Sequence, residues 1–308
     1  MEDSSELNNN MVEENPMMKV ADHTFLRKSV WPTMKPFVNG GLALTLQGSS
    51  AYFSAFLFYK LNPTAKSSPE FMHRKLLYAY QRMPFILFQG GLNMGTLFGS
   101  YELLTRKVEA LNGGSPLTLY QEAGCGLASG AIRACIWHPL FGPVGAGIAQ
   151  AATDKYYYFR HIFNTITQVV RNEGVLALWK GVRLHAPVIA SHTGMLVSYD
   201  RCRIYLKETY GLREEDARLG AGIFSGLCSA ACYIPVSYAA GIIGYIQKST
   251  RVESPRSFLF YALKVLKPGG GSNFYSRLVN HALYNSPSVM IMWVFLEAIR
   301  DAEESIGL

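Results

Sequence analysis

At 308 residues the chain is long enough for two soluble domains, yet only 17% of it is charged, against about 25% in soluble proteins. That deficit, with 49% hydrophobic residues and abundant Tyr (18) and Phe (17), points to a bilayer rather than to water. The net charge of +7 comes without any dense Lys/Arg run, which argues against a nucleic-acid partner and fits loops facing anionic lipid.

Residues 1–36 read as a polar tail. Its first 14 residues hold Glu2, Asp3, Glu6, Glu13 and Glu14 and no base. A cleavable transit peptide is Arg-rich, and a signal peptide shows an early apolar core, so the tail reads as neither. Spanning helices are expected at roughly 37–60, 84–108, 119–150, 182–208, 218–247 and 279–302, because about 20 apolar residues cross a bilayer. Several are longer and imply tilt or kinks. Gly91, Gly95 and Gly99 form a ladder of small residues on which a second helix backbone can close. Pro63 and Pro69 interrupt the first connector. Residues 156–173 read as a short amphipathic surface helix, with 250–268 as its counterpart.

The five cysteines, Cys125, Cys135, Cys202, Cys228 and Cys232, form no CxxC pair, and read as small packing residues rather than metal ligands. No Ser/His/Asp spacing, phosphate loop or metal-ligand cluster stands out, so an enzyme is not expected.

The sequence matches itself when shifted by 96 residues. Gly124, Gly126 and Gly130 land on Gly220, Gly222 and Gly226; Pro139 lands on Pro235, Gly145 on Gly241, Gly174 on Gly270 and Trp179 on Tyr275. Such a period is the length of two spanning helices and a connector, not of a small solenoid unit. A weaker earlier copy places Tyr101-Glu102 ahead of Tyr199-Asp200, with Gly40-Gly41 opening its first helix. The expected modules are 37–111, 112–210 and 211–308.

The run from Glu173-Gly174 to Trp179-Lys180-Gly181 carries an acidic-Gly, four residues, aromatic-basic-Gly pattern. Pro139 precedes it, Tyr199-Asp200 follows, and the same layout recurs over 235–300. On these joint spacings the chain resembles the mitochondrial carrier family over about residues 37–302. The resemblance implies an all-α membrane protein, with six transmembrane helices in three pseudo-symmetric repeats. It also implies a monomer of the mitochondrial inner membrane and alternating access to a central cavity.

In such carriers a ring of ion pairs closes each end. The matrix-side pairs come from a Pro-x-acidic-x-x-basic motif on each odd helix. Here Phe141 and Val144 fill the acidic and basic places after Pro139, and Ser237 and Ala240 fill them after Pro235. The first copy aligns with Ser54, Phe56 and Tyr59. No charge pair can form from these positions. On the intermembrane side the family carries aromatic-acidic-x-x-basic on each even helix. The matching residues are Glu102 and Arg106 (with the base slipped by one), Asp200 and Arg203, and Glu297 and Arg300. They read either as local helix pairs of a few tenths of a kcal/mol or as an inter-helix ring. Recurrence at matching module positions favours the ring.

The family reads its substrate about two turns into each even helix. Those positions fall near Gln89-Gly90, Pro187-Val188 and Tyr284-Asn285, and none is charged. An anion entering low dielectric needs a counter-charge. His185 and His281 recur at like positions, and read as hydrogen-bonded packing residues ahead of a proton relay. Arg133 is the odd charge in the third helix: sequence leaves open whether it faces a cavity, snorkels or meets a partner subunit.

With one gate stripped and the substrate positions uncharged, the expected function is a carrier fold reused as an accessory subunit of an inner-membrane complex, a respiratory complex being one candidate. The alternative is an active carrier for a neutral or aromatic metabolite. A third reading is an outer-membrane member. The lipid bilayer is the expected surrounding, and no cofactor is called for apart from the option of cardiolipin at the ends of the surface helices.

Overall fold

The computed structural model describes residues 30–61, 69–148, 155–179, 181–249 and 270–306. They contain helices and no strand. The long helices are α1 (Trp31–Leu61), α2 (Pro69–Leu111), α3 (Leu119–Ile148), α5 (Ala186–Tyr210), α6 (Glu214–Ser249) and α7 (Gly270–Ile306). A shorter α4 (Lys155–Glu173) follows α3, and 3-10 turns at Val175–Trp179 and Val182–His185 lead into α5. Helices α1, α2, α6 and α7 run past the expected boundaries because the polar end turns stay helical, whereas the described part of α3 ends at Ile148, short of the expected 150, and α5 begins at Ala186 after a 3-10 turn. The first helix takes in the last residues assigned to the tail, and Pro84 falls inside α2 rather than opening it. Within the expected tail, residues 1–29 lie outside the described residues, as do Pro63 and the expected surface helix at 250–268.

Each long helix packs on the next in chain order, and α1 packs on α7, so the six close into a ring. Glu214–Ala239 and Leu278–Ile306 are long and apolar enough to span a membrane on composition alone. The other helices are diluted by Gly, Ser, Thr and Gln, which serve helix-to-helix contact rather than lipid. Lys35 and Asn39 near the start of α1 contact Glu303 near the end of α7 at 3.2 and 2.7 Å, so the start of α1 and the end of α7 lie on one side of the ring.

Packing repeats with the sequence. On α3, a Cβ at Gly126 would lie 2.9 Å from Thr193 Cγ2, and one at Gly130 would lie 2.8 Å from Ile189 Cγ2, both on α5. Their counterparts on α6, Gly222 and Gly226, meet Met290 and Ser286 on α7 in the same way. Only a missing side chain permits this approach. The α2 glycine ladder meets α1: Gly91 faces Gly41 and Thr45, while Gly95 and Gly99 face Phe37. Residues 163–170 of α4 alternate exposed and half-buried pairs with Phe163 outward, and Trp179 Nε1 donates to the Cys135 carbonyl at 3.0 Å, tying the following turn to α3.

Candidate functional site

The second, fourth and sixth long helices meet at the centre of the bundle through aromatic side chains. Tyr199 of α5 stacks on Trp293 of α7, and Phe98 of α2 meets the Trp293 edge with centroids 5.4 Å apart. Trp293 Nε1 donates to Ser225 Oγ at 3.0 Å, and Ser225 Oγ donates in turn to the Met195 carbonyl at 2.9 Å. Leu97, Met195, Leu196, Met292 and Leu296 fill the space around them. The bore is closed at this level.

Charges lie one helical turn beyond, because Glu102, Arg203 and Glu297 each follow one of the three aromatics by four residues. Glu297 is buried and draws three guanidiniums: Arg203 at 3.3 Å, Arg218 at 3.4 Å and Arg300 at 3.2 Å. Arg300 also reaches Glu102 at 3.9 Å. Charge contacts therefore link α7 to α5, to α6 and to α2. Asp200 is exposed and forms no ion pair with any described residue, although Arg300 and Arg203 lie within electrostatic reach. Arg106, the slipped base, turns back to Glu102 on its own helix and to the Pro32 carbonyl at 3.2 Å.

The network is larger than the repeat pattern indicates. Arg218 forks onto Asp301 at 2.5 and 3.0 Å, and Glu214 joins Arg203, Arg218 and Lys207. Arg201 binds Glu122 at 2.6 Å. The available signal was the charge cluster from Arg213 to Arg218 at the head of α6. Beside the network, a cavity of about 230 Å³ is lined by Lys35, Asn39, Glu102, Arg106 and Arg300.

Of the expected substrate positions, Asn285 is engaged in a contact between helices. Asn285 Nδ2 donates to Ser229 Oγ at 3.0 Å, and Ser229 Oγ lies 2.7 Å from Ser191 Oγ, joining α7, α6 and α5. The Gln89 carbonyl accepts from Asn93, and Val188 is half-buried. Of the degenerate matrix positions, Ser237 is half-buried. The side chains of Phe141, Val144, Ala240 and Tyr284 lie outside the described residues. His185 and His281 each meet a ring on the preceding odd-numbered span. His185 Nε2 is 2.9 Å from His138 Nδ1, and His281 stacks on Tyr233 at 4.5 Å. His138 had no sequence signal beyond its place before Pro139. No group of three or more His, Cys, Asp or Glu among the described residues could hold a metal ion.

A closed ring of six helices, with a charge network at one mouth, defines the class as a membrane carrier. Residues 115–210 match the family model described as Mitochondrial carrier protein. The mitochondrial dicarboxylate/tricarboxylate transporter of Arabidopsis thaliana is 33% identical over 91% of this chain and 97% of its own length. The human mitochondrial 2-oxoglutarate/malate carrier protein is 24% identical over 69% of each chain. Mitochondrial uncoupling protein 5 of Arabidopsis thaliana is 25% identical over 60% of each. No solved structure matches. The chain belongs to the mitochondrial carrier family, and so resides in the lipid bilayer of the mitochondrial inner membrane.

The expectation of a non-transporting accessory subunit is overturned by two of these relatives: one is named a dicarboxylate/tricarboxylate transporter and matches over 91% of this chain, the other a 2-oxoglutarate/malate carrier and matches over 69%. The physical error was to equate a missing charge motif with a missing gate. Ion pairs are one way to close a helix bundle, and packed side chains are another.

Proposed function

We propose that this protein is a solute carrier of the mitochondrial inner membrane that exchanges small carboxylate metabolites. The observation that carries the reading is its likeness, over nearly the full chain, to a relative named as a dicarboxylate/tricarboxylate transporter. The geometry supports a cycle with two unlike gates. At the intermembrane mouth the contacts Glu102–Arg300 and Glu297–Arg203 lie between helices, where they break when the helices part. The aromatic group of Phe98, Tyr199 and Trp293 seals the bore beneath them. At the matrix end, Phe141, Val144, Ser237 and Ala240 supply no charge, so closure there depends on packing. A substrate must then bind the two states differently to drive the exchange.

The expected neutral or aromatic substrate is a second reading, favoured by the uncharged Gln89, Val188 and Asn285. A substrate panel separates the two. The purified chain in liposomes should take up labelled di- and tricarboxylates in a saturable manner, and neutral metabolites should neither enter nor compete. Uptake restricted to neutral compounds would reverse the choice.

A further inference from the structure

A carboxylate crossing the bilayer interior needs a cation to meet it. The middle of the spanning helices holds few charges of either sign. α1 has no acid, α6 has none beyond its first turn, and α7 has none before Glu297. Arg133 stands halfway along the 30-residue α3, about 20 Å from either end at 1.5 Å per residue. Snorkelling over that distance is beyond an arginine side chain. The lipid-facing stripe of α3 is Ile132, Ile136 and Leu140, each exposed, whereas Arg133 is only 7% exposed, so it faces inward and away from any partner subunit.

Among the described residues no carboxylate pairs with it. Arg133 follows Gly130 on the face that packs against Ile189 of α5, and His185 and His192 of that region lie within its electrostatic reach. Nε and Nη2 of Arg133 are both buried and have no hydrogen-bond partner among the described residues, and neither has His192 Nδ1. Nε and Nη2 form the side-on edge of the guanidinium, which binds the two oxygens of one carboxylate through parallel N–H bonds. An unpaired edge of this kind is costly to bury. It is a standing penalty on the empty state, and an anion that reaches this edge relieves it.

We infer that Arg133, with His192 beside it, is the anion-recognition site of this carrier and takes one carboxylate group of the substrate on its Nε/Nη2 edge. The inference rests on the carrier reading above and adds where the negative charge is met, on an odd-numbered span rather than at the uncharged even-helix positions.

The test uses the full-length chain purified in mild detergent, with thermal unfolding followed with and without saturating malate, and malate exchange measured in liposomes. The wild type should melt at a higher temperature with malate. Arg133→Gln should be no less stable than wild type when empty, since the unpaired charge is gone. It should lose the malate shift, and its KM for malate should rise about tenfold or more, the scale of a lost charged hydrogen-bond pair. Arg133→Lys keeps the charge without the fork and should retain a smaller shift. A wild-type shift and KM in Arg133→Gln would place the anion elsewhere and overturn the site while leaving the carrier reading intact. A wild type with neither shift nor exchange for any carboxylate would overturn both. Should Arg133→Gln fail to fold, Arg133→Lys and His192→Gln decide: unchanged shift and KM in both variants overturns the site.

Discussion

Tyr199 and Trp293 lie face to face, with ring centroids 3.7 Å apart and planes 3° from parallel, although they belong to α5 and α7. The stack lies within the buried core, with Leu97, Met195, Leu196, Met292 and Leu296 in the same cluster. A helix pair held this way separates only when its aromatic faces part, which makes the stack the mechanical seal under the charged mouth.

Trp293→Ala removes the stacking surface, the edge contact with Phe98 and the bond to Ser225 together. The expected loss of stability is about 3–5 kcal/mol, the range for truncating a buried aromatic. Trp293→Phe keeps the ring surface and loses the Nε1–H bond, at about 1 kcal/mol. Thermal unfolding in detergent should rank wild type, Trp293→Phe and Trp293→Ala in that order. Equal melting of the two variants would show that the seal is not an aromatic stack.

Glu297 and Asp200 occupy matching places in the repeat but should respond differently. Glu297→Gln leaves Arg203, Arg218 and Arg300 facing one another over a buried site and should cost about 3–5 kcal/mol. Asp200→Asn breaks no ion pair and should stay within about 0.5 kcal/mol. The comparison needs only two melting curves against wild type. A larger loss for Asp200→Asn would mean that the mouth is organised around the wrong carboxylate.

The Glu102–Arg300 contact, at 3.9 Å and with both side chains about a third exposed, should be weak. A double-mutant cycle with Glu102→Gln and Arg300→Gln should return a coupling below about 1 kcal/mol, falling further in high salt. A coupling of several kcal/mol would make this link, rather than Glu297, the principal lock.

Gly41 and Gly91 let α1 and α2 touch along their backbones. A Cβ at Gly41 would lie 2.9 Å from the Gly91 carbonyl oxygen. Backbone cannot swing aside as a flexible side chain can, so Gly41→Val should cost about 1–3 kcal/mol through overpacking. Gly124→Ala, with open space around it, should be silent by the same melting assay.

The residues that sequence made legible are those whose spacing repeats. Gly126, Gly130, Gly222 and Gly226 were visible as a 96-residue echo, and they are where α3 meets α5 and α6 meets α7. Glu102, Glu297, Arg203 and Arg300 were visible because an acidic residue followed three or four residues later by a base recurs on each even helix. Which of them bond to one another was not visible, since pairing depends on rotation and tilt. The repeat gives Asp200 and Glu297 equal standing, yet Asp200 is exposed and Glu297 is buried among three guanidiniums. Arg218 and Asp301 were missed because their contact spans 83 residues and belongs to no repeat. Arg133 was visible as a charge, but its direction was set only by the exposed stripe of Ile132, Ile136 and Leu140 beside it. Function was misjudged where absent motif charges were weighed above the kinship of the whole chain.

Trans-stimulated exchange is the most direct test of transport. Liposomes holding the purified chain and loaded with labelled malate are diluted into buffer with or without unlabelled dicarboxylate, and efflux of label is followed. External dicarboxylate should accelerate efflux in a saturable manner, because each inward passage returns the binding site for another outward one. Efflux that matches protein-free liposomes, with no dependence on external dicarboxylate, tricarboxylate or neutral metabolite, would contradict a transport cycle in this protein.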